Sequence, residues 1–576
     1  MFHSSLLLSL ALGSFAAAKP CAILGPVFEA PTGLADSSVL QDALSSLQEV
    51  LDNITTTGVT PLGPLAASNN SFAIGIFDTS SPDELFSYQF SSTALKQSTQ
   101  GVTAVTDSSI FRIGSLSKLI TAYTFLIEAG PKHWDQPVTK YIPELKTAAK
   151  KCSATDGPID CTDWDDITLG ALASHLAGVP RDYSTPAELL DPLTLGFEKP
   201  VAIGLPPLPE SALPPCGLGP TDACTKKQYL DGFTAASPLY APFTTPIYSN
   251  GGYALLAMAL ENITGRSMSD MVDDVFQKLN MTQSTYENPA SLDGAVVPLG
   301  VSSGYQAILG VLAPAGGYFS TQADIAKLGR SILMSTQLKP SDTRDWMKPS
   351  SFIESSTGAV GKPWEIFRVP DLVNDHGFDL YTKTGDVLAY SSHLILSPAH
   401  NVGITILAAG NDTTTTREVL AEIVTAALFP AVEKAARSQA EETYAGTYKS
   451  TDAAVDTEII LTTQRGRPGL FVKKWIVNGT DTLEQLYPET EQRLYPTDLV
   501  QTTPESSYKI SYRMVSDPVG LDLPPTIYDP GCQSWFMVGG RRYGGVALDQ
   551  VVFTVEDGKA TTMSPRAWRT TLEKTD

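Results

Sequence analysis

Three short stretches, far apart in the chain, carry side chains whose chemistries fit together. The first is Phe111-Arg112-Ile113-Gly114-Ser115-Leu116-Ser117-Lys118. Ser115 and Lys118 are three residues apart, so on a helix they share a face and can touch. A serine at the N-terminus of such a helix sits where the dipole favours developing negative charge. The following Leu119–Ile127 is apolar nearly all round, the pattern of a helix buried in a core. A lysine amine packed there is destabilised as a cation, and its pKa falls. It can then accept the serine proton, which makes Ser115 an activated nucleophile and Lys118 its base.

The second stretch, Tyr248-Ser249-Asn250, precedes Gly251-Gly252 and an apolar helical run. A phenol held near cations can shuttle a proton, and a carboxamide can orient the lysine or a substrate carbonyl. The third is Lys383-Thr384-Gly385, after the strand-like Phe378–Thr382 and before Asp386. On a strand edging a cleft, Lys383 supplies positive charge, Thr384 a hydroxyl, and Gly385 room for a close approach to the backbone. The amide of Asp386, paired with that of Ser115, would form an oxyanion hole.

Each motif also has a bland reading. Ser115 can be a helix cap followed by a surface lysine, and Gly385 a turn glycine at a solvated strand end. Ser506/Lys509 repeats the first spacing in a strand-like segment, where the helical geometry is lost. Tyr286-Glu287-Asn288 repeats the second without its glycines or helix. Gly300-Val301-Ser302-Ser303-Gly304 matches the α/β-hydrolase elbow, which needs a buried strand before it; Pro298 interrupts the preceding run. His3, His133, His175, His376, His393 and His400 form no zinc-binding cluster, so no metal or cofactor is expected.

To converge, the three stretches need a scaffold, and 576 residues exceed one ordinary domain. Phe72–Phe77 and Leu85–Phe90 read as strands around a turn. Helical periodicity covers Leu40–Leu51, Ala254–Glu261, Met268–Leu279 and Asp324–Leu333. His393–Leu396 and Val402–Ala408 read as strands, followed by a helix from Thr416 to about Ala436. Residues 184–240 are proline-rich and irregular, either a lid or a plain surface excursion. From Glu441 on, strands alternate with turns, at Glu458–Thr463, Leu470–Val477, Tyr508–Val515 and Val551–Val555. The expected organisation is a leader over 1–18, an α/β (α+β) domain over 19–436, and a mostly-β barrel or sandwich over 437–576.

Leu6–Ala18 is apolar and ends in three alanines before Lys19, which reads as a secretory signal, with a buried N-terminal helix as the other reading. The run is too short to span a bilayer, which takes about 20 residues. Of the 6 cysteines, Cys152/Cys161 and Cys216/Cys224 are close pairs, leaving Cys21 and Cys532. Export favours disulfides over zinc, with the connectivity left open. Asn-x-Ser/Thr sequons stand at Asn53, Asn69, Asn262, Asn280, Asn411 and Asn478. A net charge of -22 argues against nucleic acid or an anionic membrane as partner. The expectation is a secreted glycoprotein acting on a small molecule or peptide, its oligomeric state open.

The order Ser-x-x-Lys, Tyr-x-Asn, Lys-Thr-Gly resembles the signature of penicillin-recognising serine enzymes. The tyrosine of the second motif resembles class C β-lactamases and their esterase and D-peptidase relatives. Trp134–Glu144, Ile167–Pro180 and Pro314–Asp324 are similar to further stretches of that family, so the resemblance covers about residues 70–430. The whole chain looks like secreted fungal β-lactamase-like proteins with an added C-terminal β domain. The resemblance implies a β-lactamase/transpeptidase-like domain, an antiparallel sheet with a helical cluster. It implies Ser115 as acylated nucleophile, Lys118 as base and Tyr248 as proton shuttle. Asn250 would position, and Lys383 with Thr384 would bind and polarise; His175 would be structural. Asp386 stands where many relatives have a small residue. Its charge would repel a substrate carboxylate, which points to esters or amides without one. An acyltransferase with the same acyl-enzyme, and a non-catalytic binder on this fold, are the competing readings.

Overall fold

The computed structural model describes residues 22–148, 157–184, 204–217, 222–298, 303–373, 376–452, 454–502, 507–518 and 534–575. The leader, Cys21, Cys152, Cys532, Ser302 and Ser506 lie outside them. The chain forms two compact units, Thr32–Val369 with Asp379–Ala431, and the described parts of 1–31, 370–378 and 432–576.

The first unit is built on an antiparallel sheet. Its strands are β1 (Ser71–Asp78), β2 (Glu84–Phe90), β3 (Ser351–Phe352), β4 (Gly358–Val360), β5 (Glu365–Val373), β6 (His376–Val387), β7 (Tyr390–Ser397) and β8 (Val402–Ala409), ordered 2-1-8-7-6-5-4-3. The first and last segments of the unit therefore meet at β1 and β8, which are buried throughout because they lie inside the sheet. Helices α1 (Ser38–Thr57), α2 (Ser117–Glu128), α3 (Lys226–Ala235), α4 (Asn250–Thr264), α5 (Met268–Lys278) and α6 (Gln322–Leu333) complete the elements that matter here. The runs read as helices and strands in this part of the sequence form them, with ends extended by caps. Ser37 and Gly58 bracket α1, and Ser249 and Gly265 bracket α4.

α2 is buried from Ser117 to Leu126, as its all-round apolar character demands, and packs in one core with α4 and α5. α3 falls inside the stretch read as irregular. A capping box of Thr225 and Gln228 starts it, and Tyr229, Leu230 and Phe233 bury its inner face. Cys216 and Cys224 are joined by a disulfide just before it. Cys161 is also disulfide-bonded, to a cysteine outside the described residues.

α7 (Thr413–Tyr444) continues past the division between the units, which falls at Ala431/Val432 beside Pro430. In the second unit β9 (Gly446–Lys449), β10 (Thr457–Thr462), β11 (Leu470–Val477), β12 (Thr490–Thr502), β13 (Ser507–Pro518), β14 (Gln550–Glu556), β15 (Lys559–Pro565) and β16 (Leu572–Lys574) run 10-9-16-15-14-13-12-11. The pairing of β10 with β11 closes the ring. The C-terminal β part is thus a barrel, whose strands alternate inward and outward residues, as β10 shows. Val27 and Phe28 are buried in the same core, and Tyr444 Oη donates to Glu29 at 2.9 Å.

Candidate functional site

Ser115 lies in a 3-10 turn, Gly114–Leu116, which runs directly into α2. Gly114 takes φ +49°, and a Cβ on it would stand 2.7 Å from the amide nitrogen of Asp386. Gly385 comes equally close from the strand side: its Cβ would lie 2.1 Å from Ile113 O and 2.8 Å from Leu116 N. Two glycines therefore let the β6 edge and the nucleophile turn touch backbone to backbone. Ser392, the register partner of Gly385, ties them with a 2.6 Å hydrogen bond from its hydroxyl to Ile113 O.

One turn into α2, fully buried Lys118 brings its Nζ to 3.0 Å from Ser115 Oγ, 2.6 Å from Asn250 Oδ1 and 2.6 Å from Ala315 O. Burial lowers its pKa, and the ammonium of Lys383 lowers it further against the opposing pull of Tyr248. Asn250 Oδ1 and Ala315 O can only accept, so each takes a hydrogen from the amine. The nitrogen's remaining side faces Ser115 Oγ and the Tyr248 phenol.

Tyr248 completes the cluster just before α4. Its ring centroid is 4.8 Å from Lys118 Nζ and 5.4 Å from Lys383 Nζ. Burial works to raise its pKa, but the two amines and hydrogen bonds to Lys118 and Ser115 outweigh burial and lower it. His175 packs against the same ring, tilted by 31° with centroids 4.4 Å apart, and accepts from Ser249 N through Nδ1. Burial and the surrounding cations hold it neutral, well below its ordinary range.

Lys383 behaves oppositely to Lys118. Burial would lower its pKa, yet Glu365 at the start of β5 forms an ion pair with it and raises it. Glu365 also accepts from Thr384 N at 2.9 Å and Thr384 Oγ1 at 2.8 Å. One lysine's pKa is thus raised and the other's lowered, the separation a base and an electrostatic group require.

The structure brings together Ser115, Lys118, Tyr248, Asn250, Lys383, Thr384 and Gly385, with the Asp386 amide beside Gly114. It changes the account of the Asp386 side chain. Neighbours on a strand point to opposite faces, and Gly385 faces the nucleophile turn. Asp386 accordingly turns away, accepting from Ser391 Oγ at 2.6 Å and Thr414 Oγ1 at 2.9 Å, with Arg417 at 3.5 Å. The Asp386 carboxylate therefore points away from Ser115, while its charge still acts on Lys383, whose pKa it raises. Glu365 and Asp182, which accepts from Asn250 Nδ2 at 3.0 Å, carry no motif and were not legible in the sequence. Ala315 O belongs to a stretch that was singled out, though its role as an acceptor was not.

An antiparallel sheet with a helical cluster, and a buried serine–lysine pair at the junction, define the β-lactamase/transpeptidase-like fold. A family model described as beta-lactamase matches residues 86–429, and one described as the beta-lactamase-like-like C-terminal domain matches 436–576. The chain belongs to the beta-lactamase family. It is 29% identical over 597 residues to the "Beta-lactamase-like protein" of Arthroderma benhamiae, covering 96% of this chain and 95% of that one. It is 25% identical to the "Probable hydrolase M10" of Phoma sp., covering 92% and 89%. It is also 25% identical to the "Probable hydrolase clz13" of Cochliobolus lunatus, covering 76% and 72%. Family and relatives place it among β-lactamase-like hydrolases. Among the described residues, no helix is long and apolar enough to cross a membrane.

Proposed function

We propose that the protein is a secreted serine hydrolase that cleaves an ester or amide of a small molecule or peptide through an acyl-enzyme on Ser115. The observation that carries this reading is the environment of Lys118 Nζ: it is buried, bonded to two carbonyl acceptors and directed at Ser115 Oγ, so that its neutral form can take the serine proton. In acylation, Ser115 Oγ bonds to the substrate carbonyl carbon as its proton passes to Lys118 Nζ. The amides of Ser115 and Asp386 take the developing oxyanion. Tyr248 relays the proton to the leaving group, whose bond to carbon then breaks. Water enters, gives a proton through Tyr248 to Lys118, and its oxygen bonds to the acyl carbon; the bond from that carbon to Ser115 Oγ then breaks, the acid leaves, and Lys118 returns a proton to Ser115 Oγ. Lys383, fixed as a cation by Glu365, holds the phenol's pKa down during these transfers.

Secretion and cleavage after Ala18 rest on the leader's composition and on the disulfides. The sequon asparagines 53, 69, 262, 280, 411 and 478 are all exposed, as glycan acceptors must be.

A fluorophosphonate probe tests the mechanism. Wild type is expected to gain one probe mass on the Ser115 peptide, and Ser115→Ala none. A folded wild type that stays unlabelled from pH 5 to pH 9 would defeat the reading and favour a binding role.

A further inference from the structure

The segment Pro180–Asp182, which packs against the start of α4 from a distant part of the chain, carries a carboxylate that the mechanism above does not use. Arg181-Asp182 is stapled to the start of that helix: Asn250 N and Gly251 N both donate to Arg181 O, at 2.8 and 3.1 Å, and Ser249 Oγ donates to Pro180 O at 2.7 Å. The Asp182 side chain is fully buried. Its Oδ2 accepts from Asn250 Nδ2 at 3.0 Å, and its Oδ1 has no partner among the described residues. The charged and titratable groups around it are Arg181 on the same loop, Lys118 from α2 and Tyr229 from α3.

A carboxamide is nearly symmetric in shape, so what touches one end decides which way the other end faces. A carboxylate can only accept. It draws the NH2 of Asn250 toward itself and leaves Oδ1 toward Lys118 Nζ, 2.6 Å away. Were the amide turned over, its NH2 would face Lys118 and compete for the lone pair that Ser115 needs. We infer that Asp182 is a positioning residue: by accepting from Asn250 Nδ2 it fixes the carboxamide, and through it aims the Lys118 lone pair at Ser115. This rests on the reading of Ser115 as nucleophile. Burial pushes the Asp182 carboxyl up to about 6, with the Asn250 hydrogen bond, Lys118 and Arg181 opposing, so at pH 7.5 the group is the acceptor-only carboxylate.

The test measures the rate at which a fluorophosphonate phosphonylates Ser115, with fluoride leaving, on the full-length protein as a function of pH. At the high-pH plateau, Asp182→Ala is expected to slow this labelling by roughly 10- to 100-fold, the scale of a misdirected proton transfer. Asp182→Asn keeps an acceptor oxygen, and is expected to stay within several-fold of wild type. In an Asn250→Ala background, the cost of Asp182→Ala should disappear, because the two act as one unit. A purely electrostatic role predicts the reverse pattern: Asn and Ala variants alike, with an unchanged plateau and a lower limb shifted to lower pH as Lys118 loses a stabilising charge. That pattern, a wild-type plateau for Asp182→Ala, or multiplying costs in the double variant would each overturn the inference. Thermal unfolding accompanies every variant; if Asp182→Ala does not fold, Asp182→Leu makes the same comparison with the volume filled. An unlabelled wild type refutes the nucleophile itself, whereas labelling that ignores Asp182 refutes only its positioning role.

Discussion

Gly385→Ala probes how closely the strand and the nucleophile turn must approach. Gly385 has ordinary strand backbone, so its requirement is space and not conformational freedom. The added Cβ would stand 2.1 Å from Ile113 O, 2.6 Å from Ser392 Oγ and 2.8 Å from Leu116 N. Ser392 can rotate away, at the loss of its bond to Ile113 O, but the other two are backbone atoms. Ordinary contact begins at 3.4 Å, so about 1.3 Å of separation must open between β6 and the turn. The Asp386 amide moves with the strand while Ser115 stays with α2. A displacement of about 1 Å at a reacting centre costs on the order of 100-fold in rate, whereas overpacking costs about 1–3 kcal/mol of stability. The expected result is a folded protein whose acylation by an activated ester slows about 100-fold with little change in KM. Stopped-flow acylation and thermal unfolding, run in parallel, measure both. A variant that acylates within twofold of wild type would refute the claim that the Asp386 amide serves the oxyanion.

Two further outcomes follow from the charges. In the proposed mechanism Lys118 acts as the neutral amine, so acylation should rise with pH through its lowered pKa; Lys118→Arg, which cannot deprotonate, should lose about 1,000-fold at every pH while Ser115 remains present and unmodified. Glu84 on β2 has its carboxyl pushed up to about 7 by burial, against hydrogen bonds from Ser87 and Gln322 and the charge of Arg330. The fold therefore prefers the neutral form, and this contribution is full below pH 4.5 and lost as pH rises through about 7. Glu84→Gln should stabilise the protein by about 2 kcal/mol at pH 8 and leave it unchanged at pH 4, read by denaturant unfolding; equal effects at both pH values would show that the ionised carboxylate carries no penalty.

Much of the architecture was legible because burial imposes periodicity. α2 and β8 read correctly since their faces are apolar in the way their burial demands. α3 was missed because only Tyr229, Leu230 and Phe233 point inward within a proline-rich stretch, although its capping box Thr225-x-x-Gln228 was visible. Asp182 and Glu365 were not legible. Each acts through one partner across the fold, Asn250 and Lys383, and a lone acidic residue has no spacing that marks it.

By itself, the sequence determined which groups could react: a serine and a lysine one helical turn apart, a tyrosine, a second lysine, and a glycine slim enough for close approach. These follow from local geometry, which depends on neighbours in the chain. Only the tertiary structure decided which lysine has the lowered pKa and where the charge of Asp386 points. Protonation depends on desolvation and on the field of groups brought in from distant segments. Glu365 pairs with one amine, whereas the other is buried against the carbonyls of Asn250 and Ala315, the Ser115 hydroxyl and the Tyr248 phenol, with no carboxylate in contact among the described residues.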